Sequence, residues 1–374
     1  MVTQKVIIWV IKIIIVMAGL FAVQIPLRKK PFRAARKLVF AAKLLLIPAS
    51  AFFLIAVDNN ITYNTYELLG ALYLALIGDV LGSIVEYFIR LNTESGEDSE
   101  IYVCNLKQCG LLSVLFCAAI TSFSIWNATH VRMQEHQWVA EGLEQEHTFA
   151  FVSDIHAGTA QSLDNLKSVC DKINQKKPEF VILGGDVTDE LTTYDDMVKT
   201  YEILGEIDAP VYLIYGNHDR QPNADYVGGR SYTDEQLTKA IEDAGIKILS
   251  DEYIKVADDL VLLGREDISA GDKRADWEEL ENPYEGEGAL IVADHQPFDK
   301  DQSKKQTAAL QLSGHTHAGQ LFPLRFIYSV VGIEPYGEYE RDNTLLYVSA
   351  GESGWGVPIR TEARCEWELI TLHP

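Results

Sequence analysis

Gly314-His315-Thr316-His317-Ala318-Gly319-Gln320 sets two imidazoles two residues apart, directly after an apolar run at 308–312 that reads as a strand. Working back toward the N-terminus, four more polar clusters follow apolar runs in the same way. Ser153-Asp154-Ile155-His156 follows 148–152, Gly184-Gly185-Asp186 follows 180–183, Gly216-Asn217-His218-Asp219 follows 211–215, and Asp294-His295-Gln296-Pro297 follows 289–292. Runs at 260–263 and 345–348 complete seven predicted strands. Between the first two, Leu163, Leu166, Val169 and Ile173 repeat at helical spacing; 192–207 and 233–244 also suit helices, the latter opening on a Thr233/Gln236 capping box. Strands alternating with helices imply an α/β architecture in which helices cover the sheet. The charged stretch 264–288 reads as an exposed excursion.

The clusters fall just past strand ends, where open α/β sheets bind ligands. They supply seven oxygen or nitrogen donors: Asp154, His156, Asp186, Asn217, His295, His315 and His317. A lone histidine or Gly-Asp at a strand end is ordinarily structural, but five such clusters in order are a site. Mixed carboxylate, amide and imidazole donors suit divalent Mn, Fe or Zn. Two such ions need a shared anionic ligand to offset their repulsion, and Asp186 is the natural bridge. Ions held about 3.5–4 Å apart can activate water and clamp phosphoryl oxygens during in-line attack. His218 can donate a proton to the leaving oxygen, with Asp219 orienting its ring. Trp355 and Arg360 border the predicted substrate pocket, with Arg360 meeting a phosphate; Arg220 is a third substrate-binding candidate.

The 374 residues divide sharply in character. Residues 1–130 hold 11 Lys/Arg against 8 Asp/Glu; subtraction from totals of 32 and 54 leaves 21 against 46 for residues 131–374, a balance near −25. That acidity argues against nucleic-acid binding. The five cysteines form no C-x-x-C pair, which removes zinc-finger and thioredoxin-like readings. For Cys170 and Cys365, a disulfide and two buried thiols are both open.

Four apolar runs, 6–25, 38–57, 68–89 and 110–128, each approach the twenty residues a helix needs to cross a bilayer. The first lacks a clear cleavage site and is read as retained rather than as a signal peptide. Arg28, Lys29, Lys30, Arg33, Arg36 and Lys37 crowd the first loop, which should face the cytoplasm, so the acidic part emerges outside. Two N-x-T sequons, at Asn60 and Asn127, fall on that outer side. Asp79, with Lys43 and Glu86 nearby in depth, reads as helix-to-helix pairing rather than an ion path. The organisation expected is a four-helix transmembrane region over 1–130, a linker over 131–147 and a catalytic domain over 148–374.

In order and spacing, these clusters resemble the calcineurin-like metallophosphoesterases, whose pattern is D-x-H, G-D, G-N-H-D/E, H and G-H-x-H. The resemblance covers 148–374. It implies a β-sandwich flanked by helices, one metal on Asp154, His156, Asp186 and His317, a second on Asp186, Asn217, His295 and His315, and His218 as catalytic histidine. Asp189 stands where purple acid phosphatases carry a tyrosine ligand, and Thr188-Asp189-Glu190 and Asp219 depart from the Ser/Thr protein phosphatase motifs. The 314–320 motif and Gly354-Trp355-Gly356-Val357-Pro358-Ile359-Arg360 are similar to the bacterial membrane-associated branch, with Ala318 replacing its usual glycine. The expected function is metal-dependent hydrolysis of phosphate mono- or diesters at the outer face of a membrane, on a lipid or cell-envelope phosphate. The alternatives are an anchored nucleotidase or cyclic-nucleotide phosphodiesterase, and an inactive phosphoester-binding sensor. Partners are the phosphoester substrate and the lipid bilayer.

Overall fold

The computed structural model describes residues 11–20, 33–56, 63–92, 111–220, 230–299 and 308–374. It divides into a helical unit, Met1–Trp126 with Leu321–Leu324 and Gly356–Thr361, and a second unit holding Asn127–Gln320, Arg325–Trp355 and Glu362–Pro374.

In the helical unit, α1 (Arg33–Ala56), α2 (Tyr63–Asn92) and the first part of α3 (Leu111–Thr129) pack through small and polar residues. Gly78 and Gly82 let α2 and α3 approach closely: a Cβ on Gly78 would lie 2.6 Å from the Cys117 backbone, and one on Gly82 2.6 Å from Ser113 N. This small-xxx-small spacing is how apolar helices associate without a hydrophobic drive between them. The pairings 78 with 117 and 82 with 113 run antiparallel. Lys43 of α1 pairs with Asp79 of α2, whose other carboxylate oxygen accepts from Ser113 Oγ of α3 at 3.1 Å. Lys43 and Asp79, expected to pair helix to helix, do so, in a network of three helices.

Of the four apolar runs, two helical stretches, Leu68–Ile89 and Leu111–Thr129, are long and apolar enough to cross a membrane; Ile11–Leu20 and Leu38–Phe52 are shorter apolar helices. Among the described residues there are therefore two candidate spans where four were expected. The basic loop residues Arg28, Lys29 and Lys30, the sequon Asn60, and Cys104 and Cys109 lie outside the described residues. Asn127, the other sequon, is fully buried, and its amide donates to Glu362 O at 3.2 Å, which removes it as a surface acceptor of glycan.

The second unit stacks two six-stranded sheets. In chain order its strands are β1 (Arg132–Val139), β2 (His147–Val152), β3 (Val181–Leu183), β4 (Val211–Leu213), β5 (Lys247–Ile248), β6 (Glu252–Ala257), β7 (Leu260–Gly264), β8 (Ala289–Ala293), β9 (Leu310–Ser313), β10 (Gly337–Arg341), β11 (Thr344–Val348) and β12 (Glu366–His373). One sheet runs β1-β12-β2-β3-β4-β5 and the other β10-β11-β9-β8-β7-β6. Strand alternation builds the sandwich: Phe149, Phe151, Ile182, Leu260, Leu262, Ile291, Leu312 and Ile370 meet between the sheets. Their sequence neighbours Ala150, Val152, Val181 and Leu183 face α4 (Leu163–Lys176), α5 (Tyr194–Leu204) and α7 (Asp234–Asp243), through Leu166, Val169, Tyr201 and Leu237, with the one-turn α6 (Asn217–Arg220) between α5 and α7 in the chain. The capping box at Thr233 and Gln236 is present at the start of α7. Each of the seven predicted strands is found, with ends shifted by up to two residues.

Two expectations are corrected and one open choice is decided. Residues 131–147, expected to be a linker, contain β1, which pairs in parallel with β12 along eight residues. Residues 264–288 are charged but not a free excursion, because Trp277, Leu280 and Tyr284 pack on the outer face of the second sheet against Val261, Leu263 and Val292. Cys170 and Cys365 are buried free thiols, not a disulfide.

Candidate metal centre

Parallel strands of both sheets end on the same group of loops. β2, β3 and β4 deliver Asp154, His156, Asp186, Asn217 and His218; β8 and β9 deliver His295, His315 and His317. Five of these residues, Asp154, His156, Asp186, His315 and His317, have left-handed backbone with φ between 46° and 69°. Non-glycine residues adopt that region at a cost, and such strain concentrates at functional sites. Gly314 is required here: a Cβ would sit 2.0 Å from Ser153 Oγ and 2.2 Å from Asp154 Oδ2. Ala318 is also left-handed, at φ 51°, a conformation glycine would adopt without strain.

Asp154, His156 and His317 form one cluster of donor atoms within 4.8 Å of one another, and Asp186, His295 and His315 form a second. Asp186 faces both. Its Oδ1 accepts the His218 backbone N–H at 2.8 Å, and its Oδ2 lies 3.0 Å from His295 Nε2 and 3.9 Å from His156 Nε2. Asp186 Oδ2, His156 Nε2, His295 Nε2 and Asn217 Oδ1 are buried without a hydrogen-bond partner. Orphaned polar atoms this deep in a protein need a ligand to offset their desolvation, and divalent cations suit these donors.

The outer nitrogens of two candidate ligand rings, His295 and His317, are held in the manner typical of metal sites. His295 Nδ1–H donates to Gly184 O at 2.8 Å, and His317 Nδ1–H to Ser353 O at 3.0 Å. His156 Nδ1 lies 3.3 Å from Asp189 Oδ2. Asp154 is fixed by Ser153 Oγ at 2.6 Å and by the His315 backbone N–H at 2.9 Å. Burial alone would raise the Asp186 pKa, but the charges of His295 and His218 hold it well below the usual carboxylate range. The Asp186 carboxylate is therefore ionised at neutral pH.

His218 stands beside the first cluster, its ring centroid 5.3 Å from that of His156. Asp219, expected to orient it, does something else. Its carboxylate accepts backbone N–H groups of Asp186, Val187, Thr188 and Gly216 at 2.8–3.0 Å, so it ties together the two loops that carry Asp186 and Asn217. The residue facing the His218 ring is Glu190, whose Oε2 lies 3.0 Å from Nδ1. Burial lowers the His218 pKa, but the Asp186 charge and then Glu190 push it up to about 9. The sequence reading missed Glu190 because the turn after Asp186 decides which of Asp189 and Glu190 points where. The only signal available was two consecutive acids after Gly185-Asp186-Val187-Thr188.

Of the three substrate-binding candidates, Trp355 lies at the site. Its ring is 5.3 Å from that of His218, and Gln320 holds its backbone at both ends, Nε2 donating to Trp355 O at 3.0 Å and Oε1 accepting Trp355 N–H at 2.8 Å. Arg220 is engaged: it pairs with Glu266 and lies 4.0 Å above the Tyr215 ring. Arg360 is fully buried within the helical unit, where its backbone N–H donates to Ser124 O at 3.0 Å.

Residues 147–319, which include all seven donors, match the calcineurin-like phosphoesterase family. The chain carries a calcineurin-like metallophosphoesterase domain. Similar proteins include a zebrafish "Transmembrane protein with metallophosphoesterase domain", 31% identical over 231 residues, covering 59% of this chain and 52% of that one. A Helicobacter pylori "Uncharacterized metallophosphoesterase" is 26% identical over 253 residues, covering 65% and 64%. The chain thus spans between half and two thirds of the length of these two relatives. A Campylobacter jejuni relative, also named an uncharacterized metallophosphoesterase, is 24% identical over 338 residues, 88% of this chain and 87% of that one, so the likeness extends ahead of the metallophosphoesterase domain.

Behind the metal ligands of this domain lies a buried acid with its own pH signature. Glu352 donates its backbone N–H to Ser153 O at 2.8 Å, and its Oε1 accepts from Gln161 Nε2 at 3.1 Å, but Oε2 has no hydrogen-bond partner. Burial pushes its pKa up to about 8. The folded-state value exceeds the unfolded one, so the folded chain is most stable below the ordinary carboxyl range and loses stability as pH rises toward 8. Glu352→Gln keeps the acceptor for Gln161 and has nothing to ionise. It should raise stability at pH 8 by on the order of 3 kcal/mol and change little at pH 4. Thermal denaturation of the full chain in detergent at both pH values checks this; an equal effect at both would mean Glu352 does not titrate in this window.

Proposed function

We propose that this chain hydrolyses phosphate mono- or diesters with two divalent metal ions, at the outer face of a membrane. One observation carries the reading: two donor clusters meet at the single carboxylate of Asp186, with His218 beside them. Asp154, His156, Asp186 and His317 would hold one ion, and Asp186, Asn217, His295 and His315 the other. When bound, the ions supply Lewis-acid polarisation of the phosphoryl group and acidify the attacking water. His218 supplies the proton for the departing oxygen. Glu190 accepts from Nδ1, which leaves Nε2 as the acidic position, and keeps the ring protonated at neutral pH. Two cations nearby would draw its high pKa back toward neutrality, where a general acid works best. Trp355 lies on the same side as His218 and is the natural wall for the leaving group.

The apolar helices support a substrate carried by the membrane, a lipid head group or a cell-envelope phosphate. The zebrafish relative's name joins a transmembrane region to the same domain.

The test is hydrolysis of p-nitrophenyl phosphate, bis-p-nitrophenyl phosphate, a phospholipid diester and nucleotides by the full chain in detergent, after chelation and after Mn²⁺ is returned. We expect activity that disappears with chelator and returns with metal, and turnover of the phospholipid. Efficient hydrolysis of soluble nucleotides with none of phospholipid would replace the lipid reading with an anchored nucleotidase. No turnover by folded, metal-loaded protein would leave a phosphoester-binding sensor.

A further inference from the structure

Asp294-His295-Gln296-Pro297-Phe298-Asp299 follows β8 and leaves a phenylalanine, 40% exposed, three residues past a candidate metal ligand. The Phe298 ring stands edge-on, at 90°, to that of His315 in the second donor cluster, with centroids 5.4 Å apart. The backbone that presents it is fastened on both sides. The Arg341 guanidinium donates to Pro297 O at 2.6 Å and to Asp299 O at 3.1 Å, and it also pairs with Glu334. The Asp299 carboxylate accepts from Trp277 Nε1 at 2.7 Å and pairs with Arg274 at 3.1 Å. A side chain held in this way loses little freedom when something binds to it.

Trp355 is presented in the same manner at the first cluster. Gln320 holds its N–H and its carbonyl, and its ring lies 5.3 Å from that of His218, itself 5.3 Å from that of His156. Each donor cluster therefore has a fixed aromatic ring, Trp355 on the His218 side and Phe298 on the His315 side. The departing oxygen takes its proton from His218, so the leaving group occupies the Trp355 side. Phe298 lies where the leaving group does not point. A ring there meets a substituent on a second phosphoryl oxygen, and a phosphomonoester has none. Charge agrees with this. Arg220, Arg274 and Arg341, described arginines on or against these loops, are already paired with Glu266, with Asp294 and Asp299, and with Glu334. The second negative charge of a monoester finds no unpaired cation among these three, and drawing one away would strand its buried acid. The single charge of a diester asks less.

We propose that Phe298 is a specificity residue for phosphodiesters, where it takes the apolar or aromatic part of the substituent that stays on phosphorus. Water adds to phosphorus, the P–O bond on the Trp355 side breaks, and the departing oxygen takes a proton from His218, which leaves a monoester beside Phe298. This rests on the two-metal reading of the site and narrows its substrates to diesters with an apolar non-leaving group.

The test reads binding as well as turnover, on the full chain loaded with Mn²⁺ in detergent. Diphenyl phosphate and phenyl phosphate are titrated calorimetrically, and kcat/KM is measured for bis-p-nitrophenyl phosphate and p-nitrophenyl phosphate. Phe298→Ala should weaken diphenyl phosphate about tenfold more than phenyl phosphate, the scale of one aromatic contact, and lower the diester-to-monoester ratio of kcat/KM by a similar factor. Phe298→Tyr keeps the ring and should keep both ratios close to those of the parent. Bound metal is measured in each variant, and Phe298→Leu gives the answer if Phe298→Ala does not hold metal. Equal losses on both ligands, or none, overturn the proposal and leave the hydrolase reading standing. A selective loss of diester binding in a chain that turns over neither ester would keep the contact and remove the hydrolase reading. Loss of metal from both Phe298→Ala and Phe298→Leu would show that the ring supports His315 instead, and would overturn the proposal too.

Discussion

Asp186→Asn should reduce kcat by about 10³-fold or more, because it weakens both ion sites at once. Loss of a single outer-shell partner of a metal ligand typically costs about 10–100-fold in affinity or activity. Asp186 is not such a partner. Its Oδ2 is the orphaned oxygen between His295 and His156, and its charge would offset the repulsion between the two proposed ions. An amide keeps the shape, and Oδ1 can still accept the His218 N–H, so the fold should survive. Bound metal measured alongside kcat should fall as well. Asp189→Asn alters a group near the outer nitrogen of His156 that is also bonded to Thr159 and Leu191, and should sit in the milder range of about 10–100-fold. Full metal content with kcat within a few-fold of the parent would show that Asp186 is not the shared ligand.

His218→Ala should cost about 10²–10⁴-fold in kcat on alkyl phosphate esters, the span of general acid catalysis. With a p-nitrophenyl leaving group the loss should shrink, since a good leaving group needs little protonation. That dependence separates proton donation from a structural role, which would slow both substrates alike. Glu190→Gln should act in the same direction more weakly. It should also move the alkaline limb of the pH–rate profile to lower pH, because the carboxylate that helps hold the His218 ring protonated is gone. If the limb stays in place, Glu190 does not position the proton. Asp219→Asn offers a contrast: it replaces one of two carboxylate oxygens, takes the acceptor from two of four backbone N–H groups and should appear as lost stability rather than as a shifted profile.

The strands that carry the donors were legible in the sequence because most are buried on both faces and read as unbroken apolar runs. The strands that were not legible break that pattern for local reasons. β1 is an edge strand with the polar alternation Arg-Met-Gln-Glu-His-Gln-Trp-Val. β12 places Glu366 and Glu368 at full burial, where Glu366 accepts from Arg132 and Glu368 Oε1 from Ser349, so its inward positions carry acids. At the site, donor identity and order were readable because metal chemistry restricts residue type. The orientation of neighbouring acids was not, since one turn's backbone decided between Asp219 and Glu190. Arg360 shows the same limit: a cation in a loop near a phosphate site reads as a substrate ligand, whereas here it is wholly buried in the helical unit.

The division of the chain has a bearing on how this protein can be taken apart or recombined. Two short pieces from the C-terminal half, Leu321–Leu324 and Gly356–Thr361, are members of the helical unit. No single scissile point in the polypeptide therefore separates membrane part from hydrolase. A truncation after residue 130 would strip Phe322 and Thr361 of Tyr73, and Arg360 of Ser124, in loops that leave directly from Gln320 and Trp355. Swapping helices between relatives would require carrying these two inserts along with them. The two halves would then be inherited as one interlocked piece rather than as an anchor with an enzyme appended.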